Sequence, residues 1–90
     1  MASWKLELTE KFDSSFQKLD LLTQKRVYEF LTVKLSNHPN PEILAKSLQG
    51  SLKGLHRFRV GDYRILIRIK RDVLVIVAMD VAHRREVYRS

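Results

Sequence analysis

Eight of the nine arginines of this 90-residue chain fall in its second half: Arg57, Arg59, Arg64, Arg68, Arg71, Arg84, Arg85 and Arg89. Lysine is enough to keep a surface solvated. A guanidinium does more, because its planar fork grips phosphate or carboxylate through two hydrogen bonds and stacks on bases. The charge follows the same division. Residues 1–52 carry seven basic and six acidic side chains and residues 53–90 carry ten and four, so +6 of the net +7 lies in the second part. A pI near 10.1, with arginine gathered in one region, is the footprint of a polyanion binder. The plainer alternative is a solvated basic surface that happens to use arginine. Metal chemistry has little to work with: the chain has no cysteine, and His38, His56 and His83 are far apart in sequence. Neither a metal nor a cofactor is expected.

Length and hydropathy bound the scaffold that must hold these arginines. Ninety residues make one domain, 1–90, with chain enough for one core. Apolar content of 44% and charged content of 30% fit a folded protein and argue against disorder. No apolar run approaches the roughly 18 residues of a transmembrane helix, so no membrane partner is expected. The start of the chain lacks the charged-then-apolar pattern of a secretory signal, which makes the cytoplasm the expected location.

The alternation Trp4-Lys5-Leu6-Glu7-Leu8 predicts a strand with Trp4, Leu6 and Leu8 on one face. Thr9 then caps a helix over 10–19, in which Phe12, Phe16 and Leu19 recur at helical spacing. Asp20 or Thr23 caps a second helix reaching about Ser36, with the apolar stripe Val27, Phe30, Leu31 and Leu35. Asn37-His38-Pro39-Asn40-Pro41 stops it. Residues 42–47 suggest one more helical turn, and Gly50 and Gly54 bracket a loop. From Leu55 the period changes to two. Strands are expected over 55–60 and 63–70, joined at Gly61-Asp62, and over 73–79 after a turn at Arg71-Asp72. The last of these is apolar on both faces and should be covered on both, and the tail 82–90 reads as extended. The order β-α-α-β-β-β is an α+β fold, a helical hairpin packed on one face of a small, mainly antiparallel sheet.

Strand parity then places the arginines. In 63–70 one face carries Tyr63, Ile65, Ile67 and Ile69, and the other carries Arg64, Leu66, Arg68 and Lys70. The isoleucine face must lie under the helices, which leaves the arginine face open. If Phe58 and Val60 join the isoleucines, Arg57 and Arg59 join Arg64 and Arg68. Strands about 5 Å apart, with same-face repeats of about 7 Å, bring four such cations within reach of successive phosphates of one bound strand. Their mutual repulsion does nothing for stability and suits a polyanionic ligand. Asp62, Asp80 and Glu86 are too few to neutralise them. Tyr63 and Trp4 fall among core positions, and His56 is expected to pack at the sheet edge.

The segment Leu52-Lys53-Gly54-Leu55-His56-Arg57-Phe58-Arg59-Val60-Gly61-Asp62-Tyr63-Arg64 resembles the central signature of the RelE/ParE family, the toxins of type II toxin–antitoxin pairs. Val81-Ala82-His83-Arg84-Arg85-Glu86-Val87-Tyr88-Arg89 resembles that family's closing motif. The resemblance covers nearly the whole chain, and it implies a RelE-like fold and a toxin that arrests growth. RelE-like members are endoribonucleases that cut mRNA, commonly in the ribosomal A site of the 30S subunit, and so inhibit translation. ParE-like members poison DNA gyrase.

The basic slots of the RelE branch are filled here, by Arg57 and Arg59 on the first central strand, Arg64 after the turn, Arg84 near the C-terminus and Tyr88 as the terminal tyrosine. That implies a metal-independent ribonuclease in which Arg64 and Arg84 stabilise the charged phosphorane while Arg57, Arg59 and Arg68 grip the backbone. Lys53 either touches RNA or is merely solvated. Tyr88 is a stacking platform or a proton donor, or simply packs the tail. Some relatives have lysine where this chain has Leu55 and Arg57, and arginine cannot serve as a base. His83 is the residue that can take the acid/base role which other branches give to a C-terminal histidine; the general base stays unassigned. The resemblance also implies an acidic antitoxin partner, with DNA contacted only indirectly through the antitoxin complex. A gyrase inhibitor and a non-catalytic RNA- or ribosome-binding protein are the competing functions.

Overall fold

The structure is a computed structural model, and it describes residues 4–48, 50 and 53–83. Five strands form one sheet: β1 (Lys5–Leu8), β2 (Lys46–Ser47), β3 (His56–Val60), β4 (Tyr63–Lys70) and β5 (Val75–His83). Two helices, α1 (Glu10–Gln17) and α2 (Leu21–Glu29), follow β1, and α2 runs on into a π-helical segment, Phe30–Leu35. The strand order is β1-β5-β4-β3-β2. The pairing of β1 with β5 is parallel and the other three are antiparallel. This is the α+β fold expected, with one strand more.

Local chemistry explains where the helices begin. Thr9 Oγ1 accepts from the Phe12 amide at 3.1 Å and donates to the Met79 carbonyl at 2.8 Å, so one hydroxyl caps α1 and ties it to β5. Of the two candidate caps for α2, Asp20 does the work, accepting from the Thr23 amide at 3.4 Å and from the Thr23 hydroxyl. The helices lay Phe12, Val27, Leu31 and Leu35 over Phe58, Ile65, Ile67, Ile76, Ala78 and Val81, with Trp4 at the margin, all of them buried. Each large apolar side chain hidden this way contributes about 1.5–3 kcal/mol. Phe30 closes the α2 side, its ring 5.7 Å from that of Phe58.

Several expectations change in detail. Helix α1 ends at Gln17 rather than residue 19. Residues 42–47 split into a 3-10 turn, Pro41–Leu44, and the short strand β2. Strand β5 begins at Val75, because Arg71–Val73 forms a 3-10 turn closed by Leu74 in the left-handed conformation (φ +53°). Val73 and Leu74 are therefore exposed, while Val75 to Ala78 are all buried, as a strand covered on both faces requires. Trp4 is core, but Leu8, which shares its parity, is 49% exposed, because β1 ends there and α1 begins two residues later. Among the described residues no helix is long and apolar enough to cross a membrane.

Candidate nucleic-acid interface

The β3–β4 hairpin sets the geometry. Gly61 (φ +59°) and Asp62 form a two-residue loop in which only the first residue takes a positive φ, the pattern of a type II′ turn. The register follows: Val60 lies opposite Tyr63, Arg59 opposite Arg64, Phe58 opposite Ile65, Arg57 opposite Leu66 and His56 opposite Ile67. Opposed residues share a face, so the buried Phe58, Ile65 and Ile67 fix one face as the covered one. Arg57, Arg59, Arg64 and Arg68 stand on the other. Arg59 and Arg64 are direct cross-strand neighbours, and Arg57 is diagonal to both Arg64 and Arg68, about 7–8 Å away between backbones.

Register confirms Lys70 on this face and adds two lysines, Lys46 and Lys5, that strand parity did not place there. Lys46 of β2 lies opposite Arg57, and Lys70 and Lys5 both lie opposite Val75. Between them runs an apolar floor of Leu66, Val75 and Val77, each less than a tenth exposed although no described helix covers this side. Methylene stems of long basic side chains cover apolar ground of this kind. Arg64 is the most enclosed of the four arginines in one respect: its Nε is buried and has no hydrogen-bond partner among the described residues. A buried donor left unmet costs about 1–3 kcal/mol.

Asp80 shares a register position with Leu66, yet its carboxylate is spent elsewhere. It accepts from Ser15 Oγ and from the Val81 amide, each at 2.8 Å, and pairs with Lys11 at 3.6 Å. Both side-chain partners lie on α1, which continues along the edge of β5 where β1 has ended. Glu7, opposite Val77, lies on the open face by register, and Asp62 sits in the loop that joins the two arginine-bearing strands.

Strand β5 carries a bulge that matters for His83. Leu66 pairs with Asp80 and Ile67 with Ala78, so Met79 is an extra residue. The covered residues of β5 accordingly run Ile76, Ala78, Val81, a step of three where alternation gives two. Every side chain beyond Met79 changes face. His83 thereby comes to lie opposite Tyr63 on the covered side, its ring 5.2 Å from the tyrosine ring and nearly perpendicular to it. It lines a pocket of about 240 Å³ with Ser15, Lys18, Leu19 and Tyr63. By register Arg57, Arg59, Arg64 and Arg68 share the open face, and His83 lies on the covered one. Lys53 is exposed in the loop before β3, at the opposite end of that strand from Arg59. Arg84 and Tyr88 lie outside the described residues. His56 is half-buried on the covered face, opposite Ile67 and beside Ser47 of β2. Among the described residues no group of three or more histidines or acids is placed to hold a metal ion.

Residues 6–88 match the family model described as the ParE toxin of type II toxin-antitoxin system, parDE. The chain belongs to the RelE/ParE family of toxins. Solved structures agree. The RelBE2 toxin–antitoxin complex of Mycobacterium tuberculosis contains a chain similar to this one at 28% identity and a TM-score of 0.83, covering 90% of this chain and 98% of that one. The archaeal RelE–RelB complex of Pyrococcus horikoshii gives 25% identity, a TM-score of 0.75, and coverage of 97% and 100%. The isolated RelE toxin of E. coli, at 18% identity and a TM-score of 0.72 over 98% of this chain and 88% of that one, shares the fold. No curated protein matches the chain. This RelE/ParE toxin therefore carries its family's fold with an arginine-rich open face.

Proposed function

We propose that this toxin is an endoribonuclease that cleaves mRNA in the A site of the ribosome. The observation that carries the reading is the open face itself, on which Arg59 stands directly opposite Arg64, with Arg57 and Arg68 beside them and one buried guanidinium donor unmet. RNA brings its own nucleophile. The 2′-hydroxyl attacks the adjacent phosphorus, its proton passes to a base, the P–O5′ bond breaks, and the 5′-oxygen leaves as a hydroxyl. The products are a 2′,3′-cyclic phosphate and a 5′-hydroxyl end. What the protein must add is alignment and positive charge around the pentacovalent phosphorane. Arg64 supplies that charge together with Arg84, Arg57 and Arg59 hold the flanking phosphates, and Arg68 extends the grip along β4. Tyr88 stacks on a base or donates a proton. His83, turned to the covered face, has no part in this scheme. A ribosome that positions the message would lighten the demand on the toxin's own acid/base groups.

The related RelE chains of M. tuberculosis and P. horikoshii are seen in complexes with antitoxins. By the same reading this toxin is held in check by a cognate antitoxin, acidic enough to meet the open face.

A second reading has its own support, since the matching family model is that of the ParE toxin, and ParE-like members are gyrase poisons. One experiment separates the two. The chain is induced in a bacterial host, and the 5′ ends of a translated reporter mRNA are mapped beside Arg64→Ala and Arg84→Ala. New ends bearing 5′-hydroxyls that vanish with either substitution, and with removal of the start codon, support ribosome-dependent cleavage. Growth arrest without new ends, accompanied by gyrase-linked DNA breaks, defeats it in favour of the gyrase reading.

A further inference from the structure

Helix α2 and the π-helical segment that continues it turn one stripe to solvent. Leu22, Arg26, Glu29 and Val33 recur at helical spacing on the side away from the buried Val27, Leu31 and Leu35. All four are exposed, Leu22 at 56% and Val33 at 62%. Leu21 (82%) and Tyr28 (56%) flank them. Single exposed apolar residues need no explanation, but four along one helical element do. The π-helical turn under Val33 is itself an uncommon form, often found at functional surfaces.

The order of the stripe is a second and independent observation. From either end it runs apolar, charged, charged, apolar, with an arginine and a glutamate in the middle. An antiparallel copy laid on it across a two-fold axis between residues 27 and 28 sets Leu22 against Val33 and Arg26 against Glu29, each contact occurring twice. Leu21 falls opposite Lys34, whose methylene stem covers apolar ground. Among the described residues neither Arg26 nor Glu29 is held in an ion pair, so both are available to a second copy.

The surroundings choose the occupant. Beside the stripe lies a groove of about 350 Å³ lined by Arg26, Glu29, Phe30, Val33, Lys34 and Val60. Val33 is set against Leu22 of the second copy, so that leucine is the side chain brought to the groove. The charge of the chain does not forbid the contact. Residues 10–35 carry five basic and four acidic side chains, only +1 of the net +7. Arg57, Arg59, Arg64 and Arg68 stand across the sheet from the helices, and in such a pair the two arginine faces point away from each other. A lipid surface would have to bury Arg26 and Glu29 at the centre of the stripe, where it offers them no partners.

We propose that this chain forms a homodimer through α2 and Phe30–Leu35, antiparallel across a two-fold axis, with Leu22 of each copy seated against Val33 of the other and Arg26 paired with Glu29 across the interface. From Leu22 to Val33 the stripe is about 16 Å long. Helices packed along that length, about 8–10 Å apart, bury less than the roughly 1,200 Å² of a standard interface, so the dimer is a weak one that dissociates on dilution. Both arginine faces stay open in the pair, and the dimer forms whether or not those faces bind RNA.

The test is sedimentation velocity of the full chain over a concentration series, beside Leu22→Ser, Arg26→Glu, Glu29→Arg and the Arg26→Glu/Glu29→Arg double variant. The wild type should pass from 10.6 kDa to twice that mass as concentration rises. Leu22→Ser should weaken the dimer about ten-fold or more, as for removal of an interface anchor. Each single charge reversal should do the same, because the two-fold axis sets like charges together at two places. The double variant restores both pairs with their signs exchanged and should dimerise like the wild type. An equimolar mixture of Arg26→Glu and Glu29→Arg should also dimerise, as a one-to-one hybrid, although neither does so alone. That recovery excludes misfolding, and unchanged melting temperatures at these exposed positions check it again. A wild type that stays at 10.6 kDa up to its solubility limit leaves the stripe to a different protein and overturns the proposal. So does a dimer indifferent to the charge reversals, a mixture that fails to recover, or binding of the monomer to anionic phospholipid vesicles that Leu22→Ser abolishes. mRNA cleavage is followed separately on the wild type, so failure of the ribonuclease reading leaves the dimer standing and the reverse is equally visible.

Discussion

Asp80 is the clearest single point at which to test how α1, the bulge and the end of β5 are joined. Its carboxylate accepts from Ser15 Oγ and from the Val81 amide, and lies 3.6 Å from Lys11. The contributions are unequal. Asp80 is 7% exposed, and removing its acceptor strands a buried amide and a half-buried hydroxyl; each hydrogen bond to a charged group is worth about 1.5–3 kcal/mol. The Lys11 side chain is 76% exposed, so that ion pair adds at most about 1 kcal/mol. The expected loss for Asp80→Ala is about 3 kcal/mol, less than the sum because the bonds share one group. In a chain of this size that lowers the melting temperature by about 12–24 °C. Ser15→Ala should cost about 1 kcal/mol and Lys11→Ala less than half of that. Asp80→Asn, which keeps an acceptor oxygen, should fall well short of the alanine loss. The assay is urea unfolding of the four variants and the Ser15→Ala/Asp80→Ala double variant. An Asp80→Ala loss under 1 kcal/mol, or a Lys11→Ala loss as large as that of Ser15→Ala, would refute the reasoning.

Three other outcomes are expected. Arg59 opposes Arg64 directly, so Arg59→Ala should raise the stability of the free protein by up to about 1 kcal/mol at low salt and by less at high salt; denaturant melts at two ionic strengths check it. At Gly61 nothing lies within 4 Å of an added Cβ, so the loss in Gly61→Ala, measured the same way, should be the cost of the positive φ alone, about 1 kcal/mol. The hydrogen bond from the Thr23 hydroxyl holds the Asp20 carboxyl below its ordinary value of 3.8. Because its folded pKa is depressed, the cap's contribution is full above that ordinary value and is lost as pH falls through the folded one. The Thr23 amide resonance should report the loss on acid titration, and in Asp20→Asn it should not move over that range.

Much of this was legible from period and parity. The isoleucines of 63–70 had to face the helices, and Gly61-Asp62 had to turn, so the opposition of Arg59 and Arg64 could be read without coordinates. The helical stripe Val27, Leu31, Leu35 was equally plain. What was hidden has a common cause. The run from Val73 to Met79 is apolar on both faces, which erases the alternation that would reveal where a strand starts or slips. Neither the left-handed Leu74 nor the bulge at Met79 leaves a mark in such a run, and so the face that His83 takes could not be read from it. Strand β2, at two residues, is too short to show a period, and so Lys46 went unplaced. Arg84 and Tyr88, read from the closing motif, stand on that resemblance alone.

The parallel pairing of β1 with β5 also bears on when the protein can become harmful. Among the described strands, the first, β1, has the last, β5, as its one partner. Thr9, at the head of α1, binds Met79 seventy residues later, and Ser15 binds Asp80 across sixty-five. Until β5 has been synthesised, the helical hairpin has no sheet beneath its inner end, and Trp4 and Phe12 have no closed interior to enter. Folding of this kind waits on the most distant contacts. A growing chain interrupted before β5 would hold every basic residue of the β3–β4 hairpin and yet lack a surface to arm. Synthesis of β5 and formation of the basic face are thereby drawn close together in time.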